Sequence, residues 1–209
     1  MRVIPKDIKY REPFKPEKFE DRKEEKKIIS NWYKTIQSET HIRSLHLKEY
    51  VGLPGSGKSW LLRFAEEMAR SMALVTLFVG MHAKRYQNKH GPLEFARDVI
   101  NSLNIPDKYR SDIQPYKQKF DEYWQVFNST EKPTQDLEEN IQTAFVELLK
   151  AATDHFPLVL LLDDATDASK YLIGWLVQVF DDLYEQSRLL VLISSKASIA
   201  ERAILIPKN

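Results

Sequence analysis

The sequence predicts an α/β fold in which a parallel sheet lies between layers of helices. Three observations lead there. A glycine-rich stretch at 52–59 sits between a segment that alternates like a strand and one with helical spacing of apolar residues. Residues 158–162 form a continuous apolar run, as expected of a central parallel strand buried on both faces. Strand-like and helix-like patterns then alternate along the chain, which favours crossover units over hairpins.

The elements follow in order. Residues 1–18 carry Pro5, Pro13 and Pro16 among charges and read as an extended N-terminal arm. Over 19–36, Ile28, Ile29, Trp32, Tyr33 and Ile36 recur on one face of a helix. Residues 46–51 alternate as the first strand, and 60–69 continue from the glycines as a helix. A second strand is expected over 73–80, then a polar loop over 81–91. A helix over 92–104 has Pro92 near its first turn, where proline is tolerated. Residues 105–133 read as an insertion with one short helix over 117–127. The next helix, 136–155, is expected to start on Asp136 with Glu139 three residues on, a capping-box arrangement. The apolar strand at 157–162, a helix over 168–186, a buried strand over 188–193 and a last short strand over 203–206 complete the chain. The domain therefore spans 19–209, with the arm before it.

Composition sets bounds on function. The chain has 209 residues and is 43% hydrophobic, enough for one sizeable core. Its 31 basic and 30 acidic residues nearly cancel, which gives no general push toward nucleic acid or an anionic membrane. It has no cysteine, so disulfides, thiolate zinc sites and thiol catalysis are excluded, and the chain suits a reducing cytoplasm. No apolar run approaches the roughly 20 residues of a spanning helix.

The stretch Gly52-Leu53-Pro54-Gly55-Ser56-Gly57-Lys58-Ser59 matches G-x-x-x-x-G-K-[ST], a phosphate-binding loop. Glycines let the backbone wrap a polyphosphate closely, so that its N–H groups form an anion nest at a helix N-terminus. Lys58 can reach the β- and γ-phosphates, and the Ser59 hydroxyl can hold Mg²⁺. Gly52, Pro54, Gly55, Ser56, Gly57, Lys58, Ser59 and Trp60 are the candidate nucleotide-binding residues. The apolar strand ends in Asp163-Asp164, at the carboxyl edge of the sheet where α/β ligands bind. Asp163 is the candidate for holding Mg²⁺ through its water shell. Asp164 is the candidate for orienting or activating the attacking water, with Lys58 as its catalytic companion. Ser194 or Ser195, ending the next strand, is placed to sense the γ-phosphate, and the pattern does not choose between them. These residues imply ATP and Mg²⁺ as ligands. A GTPase is excluded: Asn88-Lys89-His90-Gly91 has glycine where the guanine motif needs Asp, and it precedes the Asp pair.

The motifs resemble those of STAND and related AAA+ P-loop ATPases. Residues 19–25, Phe-Glu-Asp-Arg-Lys-Glu-Glu, look like the hhGRxxE-type motif that precedes the phosphate loop, with Asp21 in place of the family's Gly. Leu160-Leu161-Leu162-Asp163-Asp164-Ala165 is similar to the Walker B strand of NB-ARC- and NACHT-type members. Residues 190–196 are similar to their sensor strand, with Lys196 where an Arg is usual. The resemblance implies a three-layer sandwich with about five parallel strands in the order 5-1-4-3-2, strand five being 203–206. It implies that Arg22 lies on the base or ribose side of the nucleotide. It makes Arg202 the candidate arginine finger toward a neighbouring subunit, and it leaves the family's C-terminal lid without a counterpart. The expected function is a slow, Mg²⁺-dependent ATPase acting as a nucleotide-controlled switch with a protein partner or further subunits. The alternatives are a DNA-associated AAA+ module, which the balanced charge does not favour, and a P-loop kinase, for which 81–89 supply only Lys84, Arg85 and Lys89.

Overall fold

The computed structural model describes residues 22–38, 44–53, 55–184 and 188–198. The expected arm, the expected fifth strand, Pro54 and Arg202 lie outside these. The elements are α1 (Lys23–Ser38), β1 (Ser44–Val51), α2 (Lys58–Ser71), β2 (Val75–Gly80), α3 (Gly91–Ser102), α4 (Arg110–Ser129), α5 (Gln135–His155), β3 (Leu158–Asp163), α6 (Lys170–Leu183) and β4 (Arg188–Ser195).

The four strands are parallel and lie in the order β1-β4-β3-β2. That is the expected α/β sandwich, with the expected order over the described strands. Side chains alternate between the two faces of a strand. On β3, Leu158, Leu160 and Leu162 join the core with α3, α4, α5 and α6, while Val159 and Leu161 join the core with α1 and α2. On β4, Leu189, Val191 and Ile193 take the first face and Leu190 and Leu192 the second. All six residues of β3 are buried, which is why the run could be apolar without alternation. This parity decides where the polar residues at the strand ends point.

Several element boundaries are corrected, each for a local reason. The second strand starts at Val75, because Ala73 turns into the left-handed region at φ 55° and closes α2, with the Leu74 N–H bonded to the Ala69 carbonyl. Helix α5 is capped by Thr134, whose Oγ1 accepts from the Leu137 N–H at 3.4 Å, and not by Asp136. Helix α6 starts at Lys170 because Ser169 caps it, accepting from the Leu172 N–H at 3.2 Å.

The largest correction is in the insertion. The expected short helix is a 20-residue one, α4, which passes through Pro115 and packs along α5. Proline there removes one N–H from the ladder. Burial of Ile113 before it and of Phe120, Trp124 and Phe127 after it outweighs that loss. The rings of Phe120, Trp124 and Phe127 stack in series, 6.3 and 5.5 Å between successive centroids.

On the other face, α1 lies on α2. Ile29, Tyr33 and Ile36 are its buried stripe, and the Tyr33 hydroxyl donates to the Ala65 carbonyl at 3.0 Å. Ile28, which shares the apolar pattern in sequence, faces outward. Helix α1 is therefore fixed to the helix that begins at the glycine-rich loop.

Candidate functional site

The loop joins β1 to α2. Gly55 and Gly57 both adopt positive φ, 81° and 80°, where a side chain is strained, so glycine is needed at both. Gly57 is the N-cap of α2, so the loop ends at a helix N-terminus with its partial positive charge. Gly52 has a different reason for being small: a Cβ there would approach the Ser56 Oγ to 3.0 Å.

Lys58 turns back into the loop and is buried, at 7% exposure. Its Nζ donates to the Gly52 carbonyl at 2.5 Å, to the Leu53 carbonyl at 2.8 Å and to the Ser56 Oγ at 3.2 Å. Burial holds its pKa below the usual lysine value, and the neighbouring charge of Arg22 adds to this. Asp164 and Asp163 act against that shift, and Lys196 acts with it.

Strand parity puts Asp163 on the face of Val159 and Leu161, the face covered by α2. Its Oδ1 there accepts from the Ser59 Oγ at 2.8 Å. The same parity puts Ser194 beside it. The Ser194 Oγ donates to Asp163 Oδ1 at 2.5 Å and accepts from the Asp164 N–H at 3.0 Å. Ser195 points the other way. Its hydroxyl donates to Glu49 Oε1 at 2.6 Å, and Ser198 donates to the other oxygen of that carboxylate at 3.2 Å. Of the two serines, Ser194 joins the cluster of loop and acids, and Ser195 belongs to a separate one on the opposite face.

Asp164 follows the strand in the left-handed conformation, φ 57° and ψ 44°, and is the N-cap of a short 3-10 turn over Ala165–Asp167. The left-handed region is uncommon for a residue with a side chain, though Asp tolerates it better than most. Asp164 is more exposed than Asp163, and the His82 Nδ1 lies 3.9 Å from its Oδ2. The polar pattern of residues 81–91 does not single out His82. Its signal was positional: it follows the carboxyl end of β2, next to β3, where ligands of parallel sheets bind.

Arg22 stands just before α1 and reaches the loop rather than open solvent. Its Nε and Nη2 both donate to the Ser56 carbonyl, at 3.1 and 2.5 Å, and its Nη1 pairs with Glu25 Oε1 at 3.0 Å. Trp60 is half-buried against the core shared by α1 and α2. Tyr50, at the end of β1, is 6% exposed, and its hydroxyl has no hydrogen-bond partner among the described residues.

A hydroxyl and one carboxylate on the same point suit Mg²⁺, which keeps several waters and takes few protein ligands beside substrate phosphates. Ser59 and Asp163 meet that description. Among the described residues no group of three or more His, Cys, Asp or Glu side chains forms a metal cage. No described helix is long and apolar enough to cross a membrane.

No protein-family model matches the chain, and no curated protein matches its sequence. Among solved structures it is similar to the ORC2 protein of Aeropyrum pernix in its ADP form. The two are 14% identical, with a TM-score of 0.47, over 87% of this chain and 43% of that one. The chain thus spans less than half the length of that protein.

Proposed function

We propose that the chain binds Mg²⁺ and ATP at this loop and hydrolyses the nucleotide slowly, as a nucleotide-controlled switch or regulatory ATPase of the P-loop class. The observation that carries this is one hydrogen-bonded line through three elements: Ser59 on α2 and Ser194 on β4 both donate to Asp163 at the end of β3. Residues 104 positions apart meet where a cation and a phosphate chain would have to meet.

The roles follow from the geometry. The loop N–H groups and the N-terminus of α2 bind phosphate oxygens. The Lys58 ammonium exchanges its loop carbonyls for phosphate oxygens, trading one set of charge-assisted bonds for another. Ser59 and Asp163 hold Mg²⁺, which when bound neutralises phosphate charge. Asp164 orients the water that attacks the terminal phosphorus and accepts its proton. Ser194 holds both acids, through the Asp163 carboxylate and the Asp164 N–H. The finer placement near the AAA+ and STAND groups is part of this proposal, as is an activating subunit or protein partner that supplies an arginine.

Calorimetry with Mg²⁺ and ATP on the parent and Lys58→Ala tests the reading. The lost contacts are each worth roughly 1.5–3 kcal/mol, so binding should weaken at least ten- to hundredfold. Equal affinity of the two proteins for ATP would defeat it.

A further inference from the structure

We infer that Arg22 is a positioning residue for the phosphate loop itself, setting the affinity for any polyphosphate whatever base it carries. This rests on the polyphosphate-binding reading given above.

The guanidinium spends two donors, Nε and Nη2, on one acceptor, the Ser56 carbonyl. No cis peptide bond occurs among the described residues, and in a planar trans peptide the C=O and the following N–H point in opposite directions. Holding the Ser56 oxygen toward Arg22 therefore aims the Gly57 N–H away from Arg22. Gly57 is the residue at which the loop becomes helix α2, so its N–H is one of the donors that a phosphate at this terminus needs. A loop with glycines at 55 and 57 has little stiffness of its own, and the clamp supplies it.

The mount is rigid. The Arg22 carbonyl accepts the Lys26 N–H at 3.0 Å, so Arg22 begins α1, and Glu25 in the first turn steadies the guanidinium. Helix α1 is in turn tied to α2 through Tyr33 and Ala65. Arg22 also holds φ 63°, a conformation that costs a side-chain-bearing residue roughly 1 kcal/mol or more. Such an outlier persists where the surroundings impose it, and here the imposed result is the grip on Ser56.

The probe is inorganic tripolyphosphate with Mg²⁺, which has neither base nor ribose. It is titrated calorimetrically, beside ATP, into the whole chain and into Arg22→Ala, Arg22→Lys and Arg22→Gln, with the thermal midpoint of each ligand-free protein recorded. Arg22→Ala should weaken both ligands by the same factor, roughly tenfold or more, and Arg22→Lys should recover part of the loss. If Arg22→Ala does not fold, Arg22→Gln carries the same comparison. A loss for ATP alone would place the guanidinium on the base or ribose side and overturn the inference. A lowered midpoint with tripolyphosphate affinity at the parent value would leave Arg22 a purely structural residue, and also overturn it. A parent that takes up ATP but no tripolyphosphate overturns it too, because the base would then carry the affinity. A parent that binds neither ligand brings down the reading of the loop itself, and the parent titration alone reveals that.

Discussion

Replacing Ser194 by alanine removes one hydroxyl and two bonds. The donated bond ends on a carboxylate, Asp163 Oδ1, and is of the stronger, charge-assisted kind. The accepted bond comes from the Asp164 N–H, which loses that acceptor. Ser194 is fully buried, so water does not readily take the hydroxyl's place. Together these changes should cost about 2–4 kcal/mol, a large fraction of the roughly 5–15 kcal/mol that holds a domain together. Urea unfolding of the nucleotide-free chain reads that loss as a lower midpoint at unchanged slope. The same substitution takes one of its two hydroxyl donors from Asp163 and the Ser194 acceptor from the Asp164 N–H, so the Mg²⁺ dependence of ATP binding should shift and turnover should fall by roughly tenfold or more. Ser195→Ala is the control. It also loses a bond to a carboxylate, Glu49, but on the opposite face of the sheet. It should therefore destabilise while leaving turnover within about twofold of the parent. Equal effects of the two substitutions on turnover, or an effect of Ser195→Ala alone, would refute the argument from strand parity.

Asp164→Asn should leave Mg²⁺·ATP binding nearly unchanged and abolish hydrolysis, because the amide cannot accept the proton of the attacking water; Asp163→Asn should instead weaken the Mg²⁺ dependence of binding, both read by calorimetry and phosphate release. Tyr50→Phe should be neutral or stabilising by up to about 1 kcal/mol at neutral pH, since the buried hydroxyl has no partner. It should also soften alkaline unfolding. Burial first, then Glu25, pushes the Tyr50 hydroxyl from its ordinary 10.0 up to about 12. The unfolded chain thus ionises first, and the stability that is intact below pH 10 is lost as pH climbs toward 12. A pH series of thermal midpoints for parent and variant checks the sign. Phe120→Ala should cost about 3–5 kcal/mol if α4 is a packed part of the domain, whereas an insertion lying loose on the surface would barely register in the same unfolding assay.

The strand and helix pattern was legible in the sequence because period-two and period-3.6 burial leave a direct trace in residue order, and the continuous run ending in Asp163 showed a strand covered on both faces. The need for glycine in the loop after β1 was legible for the same kind of reason: glycines at 55 and 57 are required by backbone angles that belong to those residues alone. Local order could not say that Pro115 lies inside a helix, because the burial that outweighs the lost hydrogen bond comes from α5, across the turn. Nor could it choose between Ser194 and Ser195. Parity alone says that they face opposite sides, but which side carries α2 depends on how the crossovers wrap the sheet. His82 was hidden for a related reason: only the pairing of β2 with β3 sets it beside Asp164, 82 positions later in the chain. The grip of Arg22 on Ser56 spans 34 residues and depends on where α1 docks against α2. Contacts of that separation are decided by the packing of faces, which is a property of the folded chain and not of any one stretch of it.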